Sequence, residues 1–193
     1  MTKHSAKLIL ASRSPRRREL LTDAGYVFEV FPPSDSAESG TCDRESPEEL
    51  VTRLAYQKAA DVAHRLGQGL ILGCDTVVEC RGQILGKPED RQHARAMLES
   101  LSGQEHKVYS GLCLWLLPDH THQVRTAMTL LRMDELSPEQ LDDYLAGGQW
   151  EGKAGAFGYQ DGLDWVHIVE GSPSNVVGLP MELLAEMLQE LRQ

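Results

Sequence analysis

No stretch of this chain is apolar for long enough to cross a membrane. The run LILA at residues 8–11 is also too short for the core of a signal peptide, so the cytoplasm is the expected compartment. Cysteine is scarce. Cys42, Cys74, Cys80 and Cys113 form no CxxC pair and no closely spaced Cys/His set, which argues against structural zinc and offers no disulfide framework. Positive charge is also in deficit: 19 Lys and Arg against 29 Asp and Glu leave a net charge of -10. Such a surface repels polyanions, so nucleic acid is not an expected partner, although a local basic pocket for a small anion is compatible with it. The phosphate-loop pattern GxxxxGK[ST] is missing, as is HExxH, and Gly73, Gly86 and Gly103 do not form a dinucleotide fingerprint. His64, His93, His106, His120, His122 and His167 lack triad spacing and read as exposed surface histidines. Trp115, Trp150 and Trp165 read as core or lobe-packing residues.

What is present is an ordinary globular composition, 41% hydrophobic and 25% charged, over a length that suits one domain, 1–193, or two closely packed lobes. Residues 7–12 (KLILAS) predict a buried strand that runs into Ser14-Pro15 and a helix ended by Gly25. A strand is expected over 26–31, then a polar loop, then the capping box Ser46-Pro47-Glu48-Glu49 opening a second helix. Further strands are expected over 69–79 and 83–85, with a helix over 90–101. A hairpin is expected from 108–117 and 124–133. A second capping box lies at Ser137 to Gln140, a strand over 163–169 and a helix over 180–191. Strands and helices alternate, so the fold class is α/β with a mixed sheet.

The segment SRSPRRRE carries the clearest chemistry. A helix N-terminus presents free backbone N–H groups to an oligophosphate; Ser12 and Ser14 add hydroxyls, and Arg16 and Arg17 add planar forks. Cations oppose the macrodipole at that end, which weakens the alternative of a plain solvated first turn. Asp75 lies deep in the apolar run ILGCDTVV. It reads equally as a hydrogen-bonded structural aspartate or as a functional carboxylate, and Thr76 points to the opposite face of the strand. Lys87, in the rigid turn Gly86-Lys87-Pro88, and Lys58, on an apolar-faced helix, are by themselves ordinary solvated or snorkelling lysines. Lys153 and Gln160 fall in a glycine-rich segment that reads as a binding loop or a connector.

Six segments occur in this order: LASRSPRRRELL, ESPEELVTRLAYQKA, GCDTVVECRGQILGKP, LSGQEHKVYSGL, GKAGAFGYQDG and SNVVGLP. Together they resemble the Maf family of nucleotide pyrophosphatases over nearly the whole chain. The resemblance implies a mixed, twisted α/β sheet in two lobes around a deep cleft, similar to inosine-triphosphate pyrophosphatases. It implies Asp75 as the proton acceptor that activates water, with Arg17, Lys58 and Lys87 holding phosphates. It also implies a divalent metal cation, Mg²⁺ or Mn²⁺, near Asp75 and Glu38, although DSAES matches the family's D-x-D-E loosely.

Arg16, Thr76 and Gln160 match the branch that acts on dTTP and UTP, and Lys153 in GKAG fits it too. Tyr109 to Gly111 (YSG) departs from that branch's usual TG or TA. The expected activity is hydrolysis of dTTP, UTP or modified pyrimidine triphosphates to the monophosphate and pyrophosphate. The alternatives are a 7-methyl-GTP pyrophosphatase and a nucleotide-binding regulator of cell division. The expected partner is the nucleoside triphosphate, with a homodimer left open.

Overall fold

A computed structural model describes residues 6–38 and 45–191, with the side chain of Glu38 outside the described set. Cys42 also lies outside the described residues. The chain opens with β1 (Leu8–Ala11), α1 (Pro15–Asp23) and β2 (Phe28–Val30), and a 3₁₀ turn at Asp35–Glu38. It continues through α2 (Pro47–Ala63), β3 (Gly69–Cys80), β4 (Gln83–Leu85) and α3 (Arg91–Leu101). The second half holds β5 (Glu105–Leu117), β6 (Thr121–Met133), α4 (Pro138–Ala146), β7 (Val166–Glu170), α5 (Pro173–Val177) and α6 (Met181–Glu190).

Both expected capping boxes form. The Ser46 hydroxyl accepts from Glu49 N–H while the Glu49 carboxylate accepts from Ser46 N–H, and Ser137 and Gln140 repeat the arrangement. The hairpin strands start earlier than the sequence suggests, at Glu105 and Thr121, because pairing within the hairpin extends past its apolar stretch. The last strand starts later, at Val166, and the short helix α5 carries no periodic signal long enough to read.

The described residues form a seven-stranded mixed sheet in the order β2-β1-β3-β5-β6-β7, with β4 pairing with β3. β1 is parallel to both β2 and β3, and the remaining pairs are antiparallel. Because β1, β2 and β3 are parallel, their connections must cross the sheet as helices: α1 covers one face and α2 the other. Leu8, Leu10, Leu72, Cys74 and Leu112 pack with Leu21 and α6 on the first face. Ile9, Ile71, Cys113 and Trp115 pack with Ala55, Ala59 and Val62 on the second. A separate core lies around the far ends of the long strands, where α3 and α4 meet Val78, Val108, Leu131 and Phe157. Trp150 and Trp165 pack against that core, in the role expected of them. No helix among the described residues is long and apolar enough to cross a membrane.

One expectation fails. His106 is not a surface residue: it is 2% exposed, packed edge-on against Phe157, and neither ring nitrogen has a hydrogen-bond partner among the described residues. Its position on the inward face of β5 decides this, and no residue type in the local sequence marks that face. Burial holds its pKa down at about 4, against an ordinary 6.5. The unfolded chain therefore takes up this proton near pH 6.5 and the folded chain only near pH 4. The neutral ring supports the fold fully above pH 6.5, and that support is lost as pH falls toward 4. The difference corresponds to about 3 kcal/mol. Urea unfolding from pH 7 to pH 4 is expected to show His106→Leu losing about 3 kcal/mol less stability than the parent over that range. Equal losses in both proteins would show that the ring is not protonated on unfolding.

Candidate active site

The site grows from a gap in the sheet. β1 covers one edge of β3 as far as Gly73, and β4 takes up the same edge only at Val78. Residues 74–77 therefore have β5 on one side and, among the described residues, no strand on the other. The gap lies beside the C-terminal end of β1, where the chain leaves the sheet for α1, and open α/β sheets bind ligands in crevices outside the carboxyl ends of their strands. Asp75 and Thr76 occupy it, and strand alternation sends their side chains to opposite faces, as the sequence predicts.

On the α2 face, Lys58 Nζ donates to Asp75 Oδ1 at 2.6 Å, with the two side chains 7% and 15% exposed. Lys58 is thus a buried partner of Asp75 and not the snorkelling lysine that the helix pattern alone allows. Two glycines make the pairing feasible. A Cβ on Gly73 would lie 2.2 Å from the Ala55 carbonyl oxygen, and one on Gly111 would lie 2.2 Å from that of Val51. Gly111 is the register partner of Asp75 on β5, so the helix backbone descends onto the sheet beside the carboxylate.

On the opposite face Arg17 is buried, and its fork is largely engaged. Nε donates to the Gly178 carbonyl at 2.8 Å, while its two terminal nitrogens donate to Ser12 Oγ and Thr76 Oγ1, each at 3.2 Å. Thr76 Oγ1 also lies 2.8 Å from Ser110 Oγ and 3.3 Å from the Gly178 carbonyl. Ser14 occupies the N-cap of α1 without a side-chain capping bond; instead its backbone N–H donates to Ser12 Oγ at 3.2 Å. The first turn of α1 carries no acidic residue, so its free N–H groups meet no competing anion of their own helix.

Arg16 and Gln160 meet at a pocket whose wall includes Val78, Val108, Phe157 and Gly158. Arg16 donates to the Gly152 carbonyl at 3.1 Å. Burial lowers its pKa, and Arg17 adds to that, while Asp161 and Glu19 oppose it. Lys153 lines the same pocket but is buried and paired with Asp161. Lys87 is exposed, in a turn fastened to the pocket segment by a 3.0 Å bond from Gly155 N–H to the Gly86 carbonyl. Glu38 ends the 3₁₀ turn, and its side chain lies outside the described residues.

The structure therefore assembles Lys58 with Asp75, Ser12 and Arg17 with Thr76, and Arg16 with Lys153 and Gln160. Sequence reasoning missed Ser110, Gly178 and Asp161. Ser110 and Gly178 have no signal of their own, since each acts through a contact distant in sequence. Asp161 had one: an acidic residue directly after Gln160 in a segment that also holds Lys153.

The family model described as Maf-like protein matches residues 7–191. The chain belongs to the Maf-like family. A dTTP/UTP pyrophosphatase of Rhodopirellula baltica is 55% identical over 96% of this chain and 82% of its own. Proteins of the same description from Ruminiclostridium cellulolyticum and Carboxydothermus hydrogenoformans are each 40% identical. They cover 96% and 97% of this chain, and 96% and 98% of their own. Among solved structures, a dITP/XTP pyrophosphatase from Mycobacterium abscessus covers 96% of this chain and 97% of its own, at 14% identity and a TM-score of 0.41, a distant likeness.

The close approach at Gly111 yields a direct expectation. In Gly111→Ala the new methyl meets helix backbone, which cannot rotate away, so α2 must lift from the sheet. Overpacking of this kind costs about 1–3 kcal/mol, or roughly 2–12 °C in melting temperature for a chain of this size. Thermal unfolding that matches the parent would show that the helix is not seated as tightly as described.

Proposed function

We propose that the protein hydrolyses dTTP and UTP to the nucleoside monophosphate and pyrophosphate, acting in the cytoplasm with a divalent metal cation. The observation that carries this reading is the placement of Arg16 and Gln160 on one small pocket beside the Arg17–Thr76 cluster, in a member of the Maf-like family. The relatives described as dTTP/UTP pyrophosphatases support the choice of substrate. Three described cysteines, Cys74, Cys80 and Cys113, are buried free thiols, which agrees with a reducing compartment.

The chemistry follows from charge and protons. Asp75 gives Oδ1 to Lys58, and Oδ2 accepts the proton of a water that attacks the α-phosphorus. The bond from the α-phosphorus to the α–β bridging oxygen breaks, pyrophosphate leaves with that oxygen, and the water oxygen stays on the monophosphate. Lys58 orients the carboxylate. Arg17 retains one unused N–H on each terminal nitrogen for phosphate oxygens, beside Ser12, Ser14 and the open first turn of α1. Lys87 supplies an exposed ammonium from the turn bonded to the pocket segment. Thr76 holds the Arg17 fork and borders the base side, where Gln160 offers an amide donor and acceptor to the edge of uracil or thymine. Arg16 adds a donor there, and Lys153 lines the same pocket.

The donor set suits a metal that shares its ligands with the substrate. Among the described residues no three His, Cys, Asp or Glu side chains converge, and Asp75 is the carboxylate at the gap. Mg²⁺ takes one or two carboxylates together with substrate phosphates, so Asp75, with Glu38 as a second candidate, fits that habit. When bound, such an ion neutralises triphosphate charge and stabilises the departing pyrophosphate.

Three measurements test the proposal. Pyrophosphate release across a nucleotide panel is expected to favour dTTP and UTP over CTP by roughly tenfold to a hundredfold in kcat/KM, the scale set by one mismatched buried donor or acceptor. A preference for 7-methyl-GTP would overturn the base assignment. In the same assay Asp75→Asn is expected to lower kcat by about a hundredfold or more, with substrate still bound. Near-parental turnover in the folded variant would remove Asp75 from the mechanism. EDTA is expected to abolish activity and excess Mg²⁺ to restore it, whereas full activity in chelator would exclude the metal.

A further inference from the structure

The segment between α4 and β7 supplies half of the residues lining the pocket that holds Gln160, yet it contains little regular structure. It consists of two 3₁₀ turns, Ala154–Ala156 and Tyr159–Asp161, joined through Gly158. Something must hold so irregular a backbone in one shape. Ala156 has a left-handed φ of 64°, a conformation that persists in a non-glycine residue only where its surroundings enforce it.

The contact that spans this backbone is the ion pair between Lys153 and Asp161, whose side chains are 11% and 12% exposed. It joins the start of the first turn to the end of the second. The chain passes so close beneath that a Cβ on Gly158 would lie 2.5 Å from both Lys153 Nζ and Asp161 Oδ2, and 2.9 Å from Gln160 Nε2. The Gln160 amide is therefore packed against the clip that Lys153 and Asp161 form. The same carboxylate acts on its other neighbours. Its negative charge opposes the burial that weakens Arg16, and together with burial it pushes the Tyr144 phenol upward. Tyr144 Oη is buried beneath the segment with no hydrogen-bond partner among the described residues.

Lys153 can therefore be read in two ways. A lone buried ammonium at this pocket would be a phosphate ligand for any nucleotide. Neutralised by Asp161, it carries little free charge toward the substrate, and its contribution is geometric. We propose that Asp161 is a positioning residue for base selectivity: clamped on Lys153, its carboxylate fixes the 153–161 segment so that the Gln160 amide and the Arg16 guanidinium stand together at the base pocket. The inference rests on the dTTP/UTP reading above and adds a residue to it. Asp161 touches neither phosphate nor the attacking water, so its loss falls on discrimination and not on the hydrolytic step.

The test is steady-state kinetics of the full-length parent and Asp161→Asn with dTTP, UTP and CTP, under saturating Mg²⁺. The substitution preserves side-chain shape and removes the charge that binds Lys153. For dTTP and UTP, kcat/KM is expected to fall by roughly tenfold or more, chiefly through KM, while kcat stays within about threefold. For CTP, kcat/KM is expected to stay within about threefold, so the preference for dTTP and UTP collapses. An equal loss on all three nucleotides, or a loss confined to kcat, would overturn the inference and leave Asp161 as a structural residue.

If Asp161→Asn does not fold, Lys153→Met/Asp161→Leu removes both charges without leaving either buried alone. That variant is expected to fold and still lack the preference. Parental selectivity in it would equally overturn the proposal. The parent separates the two readings: a parent with no preference for dTTP and UTP refutes the base assignment itself, and this inference with it. A selective parent alongside an equally selective variant refutes only the role of Asp161.

Discussion

The rest of the site depends on how close helix α2 comes to the sheet. At Gly73 and Gly111 the helix backbone lies where side-chain atoms of any other residue would be, so Val51 and Ala55 rest directly on β5 and β3. This closeness brings Lys58 within 2.6 Å of Asp75. A buried carboxylate without a partner would be strongly destabilising, and a buried ammonium equally so. Each makes the other tolerable, and small residues at two positions allow them to meet. Ala59 and Val62 continue the same packing down the helix, so the pair is braced by core on one side and open to the gap on the other.

The gap itself is a consequence of strand lengths. β1 is four residues long and β3 is twelve, so the edge of β3 away from β5 is uncovered beyond Gly73 until β4 joins it. Strand alternation then divides the unpaired stretch between two faces. Asp75 turns toward Lys58, and Thr76 toward Arg17, Ser110 and Gly178. The carboxylate and the hydroxyl that the proposed reaction would use thereby stand on adjacent residues without crowding, because the peptide between them separates their side chains.

The electrostatic pattern is equally economical. A protein with a net charge of -10 must present a triphosphate with local positive charge, yet several cations that line the gap are already committed to the protein. Lys58 is paired with Asp75, Lys153 with Asp161, and Arg17 is held by a carbonyl and two hydroxyls. The site is therefore preorganised more than it is charged. Its donors are fixed before the ligand arrives, which reduces the ordering a bound nucleotide must impose. The divalent ion proposed above would add neutralisation that these committed cations leave short.

Much of this was legible in the sequence because the signals were local. The capping boxes at Ser46 and Ser137, the proline-led start of α1 and the apolar run of β3 each depend on residues within a few positions of one another, and each forms. The alternation that separates Asp75 from Thr76 is a property of any strand, so it too could be read directly. What the sequence could not decide was which side chains would meet across distance. Lys58 looked like a snorkelling lysine until α2 seated it on Asp75, His106 looked like a surface residue until β5 turned it inward, and Lys153 stood in a segment that read as a binding loop or a connector until it met Asp161. Local spacing determines the elements and the faces they present. Pairing between charges, and the burial that makes such pairing necessary, is set only when those faces are packed together.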